Sequence, residues 1–306
     1  VCKNIVSAGI FPVQYIFITR HMTIQAAFTQ IITTLAPIHD QREAANIAHI
    51  VMEHITGLSK MDRIVYKDRA LTGQQSTRLQ EALKALQEHQ PVQYVTGTSW
   101  FYGMEFQVNA HVLIPRPETE ELVEWIVQDV RDSKLLNCSI LDIGTGSGAI
   151  PIALKKELLA ANVRAVDVSE GALDTARSNA QQQKLEVSFE QMDILDTTVT
   201  SSLPMFDIIV SNPPYICQRE RTDMQEQVVA YEPSIALFVP DDDALLFYRA
   251  IGLLAKEKLN QGGALYFEIN EAFGQETAEL LREQGYVNVE VKKDLFGKDR
   301  MVKAML

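Results

Sequence analysis

Ile140-Leu141-Asp142-Ile143-Gly144-Thr145-Gly146-Ser147-Gly148-Ala149-Ile150 reads as a short apolar strand, a glycine turn and the start of a helix. Its glycines let backbone approach a ligand without Cβ obstruction. Similar units recur downstream. Residues 162–166, 187–190, 207–211 and 264–269 read as strands, and 149–159, 170–182, 244–259 and 275–284 as helices. Residues 287–291 and 301–304 are expected to close the sheet. The alternation predicts an α/β fold built on a parallel, doubly wound sheet.

In such sheets ligands bind beyond the carboxyl ends of the strands. The glycine spacing is G-x-G-x-G, whereas the dinucleotide fingerprint is G-x-G-x-x-G and the P-loop adds a Lys-Ser/Thr pair. A phosphate ligand is therefore disfavoured. Gly144, Thr145, Gly146, Ser147 and Gly148 are candidate cofactor contacts. Asp167 ends the second strand, where a carboxylate accepts both hydroxyls of a ribose. Asp193 and Ile194 follow the third strand and offer a carboxylate and an apolar face to an adenine amine and ring. Alone, each of these has an ordinary alternative as a turn residue; in this order they specify adenosine without phosphate.

After the fourth strand comes Asn212-Pro213-Pro214-Tyr215. Two prolines stop the strand, because neither has an N–H to donate and each restricts its own φ. The Asn212 side-chain oxygen and the Pro213 carbonyl can each accept one N–H of a planar NH2 group. That pair would hold the nitrogen and turn its lone pair toward an electrophile, with the Tyr215 ring stacked on the amide plane. A plain strand-ending turn is the structural alternative.

Composition bounds these readings. The 306 residues, 46% hydrophobic and 22% charged, suit a soluble globular chain of one large or two ordinary domains. Cys2, Cys138 and Cys217 are scattered and form no CxxC pair, which excludes a disulfide framework or a cysteine-built zinc site and fits a cytoplasmic setting. Cys217 reads as a small packed residue in preference to a reactive thiol. His49 and His54 do not share a helix face, so no metal is expected. The net charge is −12; residues 22–92 are neutral, residues 1–21 carry +2 and residues 93–306 carry −14. So acidic a half is a poor match for a nucleic-acid backbone and fits a protein or small-molecule substrate.

Residues 1–21 are apolar but interrupted, without the basic start and cleavage site of a secretory signal, and His21-Met22 resembles a junction before a natural start at Met22. The segment is expected to be extraneous to the fold. Residues 22–92 carry helical stripes, with Leu79, Leu83 and Leu86 in one and Ile47, Ile50, Val51 and Ile55 in another. Asp40 is placed to cap the second helix, with Glu43 completing a capping-box-like pair. This helical bundle is assigned to partner recognition. Residues 93–115 read as short strands around glycine turns, including 93–98, and hence a β-hairpin linker; residues 116–306 form the second domain. Leu113-Ile114-Pro115-Arg116-Pro117-Glu118-Thr119-Glu120 announces a helix N-terminus. Arg116, held between two prolines, is expected to order the cofactor pocket.

The order of acidic strand, glycine loop, ribose acid, adenine aspartate and Asn-Pro-Pro-Tyr resembles the class I methyltransferases that use S-adenosylmethionine. Within them the tetrapeptide is similar to that of enzymes that methylate planar nitrogens: adenine N6, guanine N2 or a glutamine amide. Phe101-Tyr102-Gly103 with Phe106 and Val108, the segment 113–120, and Tyr231-Glu232-Pro233 followed by Ala236-Leu237 narrow this to a resemblance to the release-factor glutamine N5-methyltransferases over residues 22–306. The resemblance implies a Rossmann-like catalytic domain and methyl transfer to the glutamine of the Gly-Gly-Gln loop of peptide chain release factors. It also implies S-adenosylmethionine bound by the residues named above together with Phe101, Arg116 and Asn212, and a cytoplasmic monomer. Two departures stand out. Val239-Pro240-Asp241-Asp242-Asp243 replaces a glycine-rich turn, and Ile194 stands where an aromatic residue often faces adenine. Rival readings are an N-methyltransferase acting on a ribosomal-protein glutamine or on a nucleic-acid base, and a binding module without catalysis.

Overall fold

The computed structural model describes residues 22–135 and 137–306. Residues 1–21, expected to stand outside the fold, are not among them. The chain divides into two compact units after Lys84.

The smaller unit is helical: α1 (Ile24–Leu35), α2 (Gln41–Thr56), α3 (Lys60–Val65) and most of α4 (Gly73–Gln87). Asp40 caps α2, its Oδ1 accepting the backbone N–H groups of Arg42 and Glu43 at 2.8 Å each. Glu43 does not complete a capping box; it pairs with His39 Nδ1 at 3.0 Å. Gly57 ends the helix at φ 66°, a left-handed turn that costs glycine little. Ala44, Ile47, Ala48, Val51 and Ile55 make the buried stripe. Ile50, expected in that stripe, is 44% exposed. It lies about 100° around the helix from Val51, outside the buried arc.

The larger unit opens with α5 (Val92–Thr96) and the hairpin β1 (Thr98–Phe101) and β2 (Met104–Gln107). The expected strand at 93–98 is therefore mostly a helical turn. Pro91 sets its entry, the Thr96 hydroxyl donates to the Val92 carbonyl at 3.0 Å, and Gly97 ends it at φ 72°. Local capping outweighs the β-branched composition. Then follow α6 (Pro117–Ser133), β3 (Ser139–Ile143), α7 (Ala149–Glu157), β4 (Asn162–Asp167), α8 (Glu170–Gln183), β5 (Ser188–Gln191), α9 (Thr197–Thr200) and β6 (Phe206–Ser211). The chain continues through β7 (Ile216–Cys217), α10 (Glu226–Tyr231), α11 (Ser234–Leu237), β8 (Phe238–Val239) and α12 (Leu246–Lys258). It ends with β9 (Leu259–Glu268), α13 (Gly274–Glu283), β10 (Val287–Lys293) and β11 (Asp299–Met305).

Seven strands form one sheet in the order β10-β11-β9-β6-β3-β4-β5. The sheet is parallel except for β11, which runs antiparallel to both neighbours. The parallel, doubly wound sheet expected from the sequence is present, with this one strand reversed. The short connection from β10 to β11 has no room for a crossover helix and forces the reversal. Alternate side chains of the central strands feed two cores. Ile140, Ile208 and Val210 pack beneath α6 and α7, with Leu122, Ile126, Ile152 and Leu154. Leu141, Ile209 and Phe267 pack beneath α12 and α13, with Tyr248, Ile251 and Leu281. The strand order reverses direction between β3 and β6, so their carboxyl ends open a crevice there. Ile143 lies opposite Ser211 across that seam, and the Ser211 hydroxyl donates to the Ile143 carbonyl at 2.7 Å. Among the described residues no helix is long and apolar enough to cross a membrane.

Candidate active site

The crevice beyond β3, β4 and β6 holds a cavity of about 340 Å³. Gly144, Thr145, Gly146 and Ser147 form one wall; Asp167, Asp193 and Ile194 another; Phe101, Arg116, Asn212 and Pro213 close it. Residues predicted from six separate stretches thus share one cavity. Gly148 and Tyr215, also singled out from the sequence, do not line it.

Each wall has a local cause. The Gly144 and Thr145 N–H groups both donate to the Val166 carbonyl, at 2.9 and 3.1 Å, so the glycine loop hangs from the end of β4. Gly144 and Gly146 take φ of 73° and 54°, and a Cβ at either would point into open space. Gly148 serves packing: at φ 80° its absent Cβ leaves room for Ile152 Cδ1 and Ala176 Cβ, which a side chain would meet at 3.0 and 3.1 Å. Asp167 braces the loop, its Oδ2 accepting the Gly146 N–H at 2.8 Å and its Oδ1 the Ser169 N–H at 2.9 Å. Asp193 forms a turn of its own through the Leu195 N–H at 2.9 Å and stays exposed at the rim, beside half-buried Ile194. Phe101 is buried behind the cavity and meets Phe106 edge-on, centroids 6.0 Å apart.

Electrostatics narrow the ligand. Asp142 is fully buried; burial pushes its pKa up to about 7, opposed by the neighbouring Thr145 hydroxyl. Burial also raises the Asp167 pKa, opposed by the Ser169 and Gly146 N–H groups. Arg116 is the one Lys or Arg among the lining residues. Its guanidinium is paired with Glu232 Oε1 at 2.5 Å, and Glu232 Oε2 accepts the Ile114 N–H at 3.2 Å. Acids around the loop and no free lining cation favour a hydroxyl-bearing, neutral or cationic ligand over a phosphate.

Asn212 and Pro213 also border a second cavity of about 370 Å³, with Tyr215, Glu232, Gln225 and Glu268 on its walls. Arg116, Leu113 and Ala236 are common to both cavities. Behind the tetrapeptide lies a polar cluster absent from the sequence reading. Thr119, in the first turn of α6, donates from Oγ1 to Glu268 Oε2 at 2.5 Å. The Tyr215 hydroxyl donates to Glu268 Oε1 at 3.2 Å, and Asn212 Nδ2 lies 3.4 Å from Thr119 Oγ1. Tyr215 packs against the core beneath α12. Burial raises the Glu268 pKa, opposed by Thr119, Arg300 and Tyr215. Its sequence signal was a lone acid closing the apolar run Ala264-Leu265-Tyr266-Phe267. Glu232 was quoted in a motif but not assigned a role. Cys217 is buried, its thiol pKa raised by burial and by Glu220, so it is no poised nucleophile.

Comparison with known proteins extends this geometry. Residues 121–234 match the family described as Methyltransferase small domain, and residues 26–97 match the PrmC N-terminal domain. A release factor glutamine methyltransferase of Flavobacterium psychrophilum is 45% identical over 283 residues, 92% of this chain and 99% of that protein. One of Bacteroides thetaiotaomicron is 42% identical, over 89% of this chain and 96% of its own length. Among solved structures, the hMettl16 catalytic domain superposes with a TM-score of 0.50 at 18% identity, covering 76% of this chain and 80% of that one, a likeness of fold. The mostly parallel sheet with its one reversed strand is the class I methyltransferase fold. By sequence identity along nearly its whole length, the chain belongs to the release factor glutamine methyltransferase family.

Proposed function

We propose that this enzyme transfers a methyl group from S-adenosylmethionine to the side-chain amide nitrogen of the glutamine in the Gly-Gly-Gln loop of peptide chain release factors. One observation carries the reading: Asn212 and Pro213 stand on the shared wall of two cavities. The first has the glycine loop and acidic rim suited to an adenosine-bearing cation; the second, more polar, is free for an acceptor side chain. S-adenosylmethionine, when bound, supplies a methyl group already activated on a sulfonium. The chain's own residues then have two tasks, to hold the acceptor nitrogen and to keep water away.

An amide nitrogen is a poor nucleophile because its lone pair is delocalised into the carbonyl. The Asn212 Oδ1 and the Pro213 carbonyl would accept its two hydrogens, orient its lone pair toward the methyl, and stabilise the positive charge growing on nitrogen. Proline suits this position, since it has no N–H to compete for the acceptor. Tyr215 borders the acceptor cavity while its hydroxyl is tethered to Glu268, which limits the ring's freedom. The net charge of −14 over residues 93–306 favours a protein substrate over a nucleic acid.

The test is transfer of labelled methyl to a purified release factor, set beside the same factor with its loop glutamine changed to alanine. Label on the first and not the second is expected, and Asn212→Ala should abolish turnover while cofactor affinity changes little. Equal label on both factors would overturn the substrate; equal loss of turnover and cofactor affinity would overturn the role of Asn212.

A further inference from the structure

The buried cluster behind Asn212 decides which end of its carboxamide faces the substrate. Glu268 is 2% and Thr119 5% exposed, so neither relies on water for its hydrogen bonds. A carboxylate only accepts, so the hydroxyls of Thr119 and Tyr215 both donate to Glu268. A threonine hydroxyl has one hydrogen. With it given to Glu268, Thr119 Oγ1 offers only lone pairs, and the Asn212 group 3.4 Å away must be the NH2. Oδ1 is thereby left for the cavities. The chain of polarity runs in one direction, from a carboxylate that cannot donate to an amide that cannot turn over.

Resting on the proposal that Asn212 grips the acceptor, we infer that Thr119 and Glu268 are positioning residues that fix the polarity of the Asn212 carboxamide, and so make the site select a carboxamide over the carboxylate of the same shape. A glutamine NH2 meets two acceptors, Asn212 Oδ1 and the Pro213 carbonyl. A glutamate side chain would set its own acceptors against those two and leave all of them unpaired. Were Asn212 free to turn over, its NH2 would face the substrate, satisfy a glutamate and repel the glutamine amide. The lock therefore serves turnover and discrimination together.

The experiment uses two peptides spanning the acceptor loop, one with glutamine and one with glutamate at the acceptor position. It measures kcat and KM for the first, inhibition by the second, S-adenosylmethionine affinity and the thermal midpoint. For Thr119→Val, kcat should fall about ten- to a hundredfold, the scale for losing one preorganised polar contact, with cofactor affinity within about twofold. The glutamate peptide should gain as an inhibitor relative to the glutamine peptide's KM. Thr119→Ser, which keeps the hydroxyl, should restore both kcat and discrimination. Should Thr119→Val fail to fold because Glu268 loses a donor, the double variant Thr119→Val with Glu268→Gln relieves the buried charge and still leaves Asn212 unlocked; the same loss of discrimination is expected. Unchanged discrimination in a folded variant lacking the Thr119 hydroxyl overturns the inference, as does Thr119→Ser being as impaired as Thr119→Val. An Asn212→Ala enzyme that still turns over would sink the underlying reading instead. An inactive Asn212→Ala beside a fully discriminating Thr119→Val sinks this inference alone.

Discussion

Asp142 is the residue at which stability and the site conflict. It sits fully buried beneath the glycine loop, its pKa pushed up to about 7 against the opposing Thr145 hydroxyl. A folded pKa above the ordinary carboxyl value means folding favours the protonated form. That contribution is fully present below the unfolded pKa, near pH 4, and is lost as pH rises through about 7. Asp142→Asn keeps the shape and removes the charge. It should raise stability at pH 8 by an amount on the order of a few kcal/mol, at about 1.4 kcal/mol per pKa unit, and by clearly less at pH 5, which lies only about one unit above the unfolded pKa. Melting curves at the two pH values check this; an equal gain at both would rule out ionisation as the cause. At this same scale the sequence was most informative. Asp167, Asn212 and the glycines advertise themselves through spacing and strand-end position. Glu268 and Thr119 do not, because a single acid after an apolar strand and a threonine in a first helical turn each have commoner local explanations. Only the fold brings them together.

At the scale of elements, Gly148 shows how a motif divides its labour. Gly144 and Gly146 face open space, whereas Gly148 is the left-handed cap that lets α7 start against α8. Gly148→Ala should therefore lower stability by about 1–2 kcal/mol for the left-handed backbone alone, with further loss from crowding Ile152 and Ala176. A denaturant titration reads this directly. A variant as stable as the parent but weak in cofactor binding would instead assign Gly148 to the ligand. Elements with strong internal logic were legible. The apolar strands β3 and β6 and the helix α8 fall within a residue or two of expectation, and α6 starts within the stretch that announced it. The helical turn at 92–96 was not, because its stop signals, Pro91 and Gly97, flank residues whose composition favours strand. The reversed β11 was also hidden, since apolar runs in parallel and antiparallel neighbours look alike when both faces are buried.

At the scale of the whole molecule, charge separates the two ends of the chain: residues 22–92 are neutral, while residues 93–306 carry −14. An acidic catalytic unit steers a basic partner surface and repels polyanions. Raising salt from low to physiological ionic strength should therefore raise the KM for a release factor while leaving kcat nearly unchanged, since screening slows encounter and not the chemical step. A salt-independent KM would mean that steering plays no part in docking. The overall α/β plan was legible because alternating strands and helices leave few topologies. The division after Lys84, within α4, was not, since nothing in an uninterrupted helical stripe marks where one packed unit gives way to the next.

The most direct test of the enzyme's identity is peptide mass spectrometry of a mixture containing a release factor, ribosomal proteins and RNA after incubation with the enzyme and S-adenosylmethionine. One methyl group is expected, on the Gly-Gly-Gln glutamine of the release factor and nowhere else. Methyl on a ribosomal-protein glutamine or a nucleic-acid base, with the release factor unmodified, would contradict it.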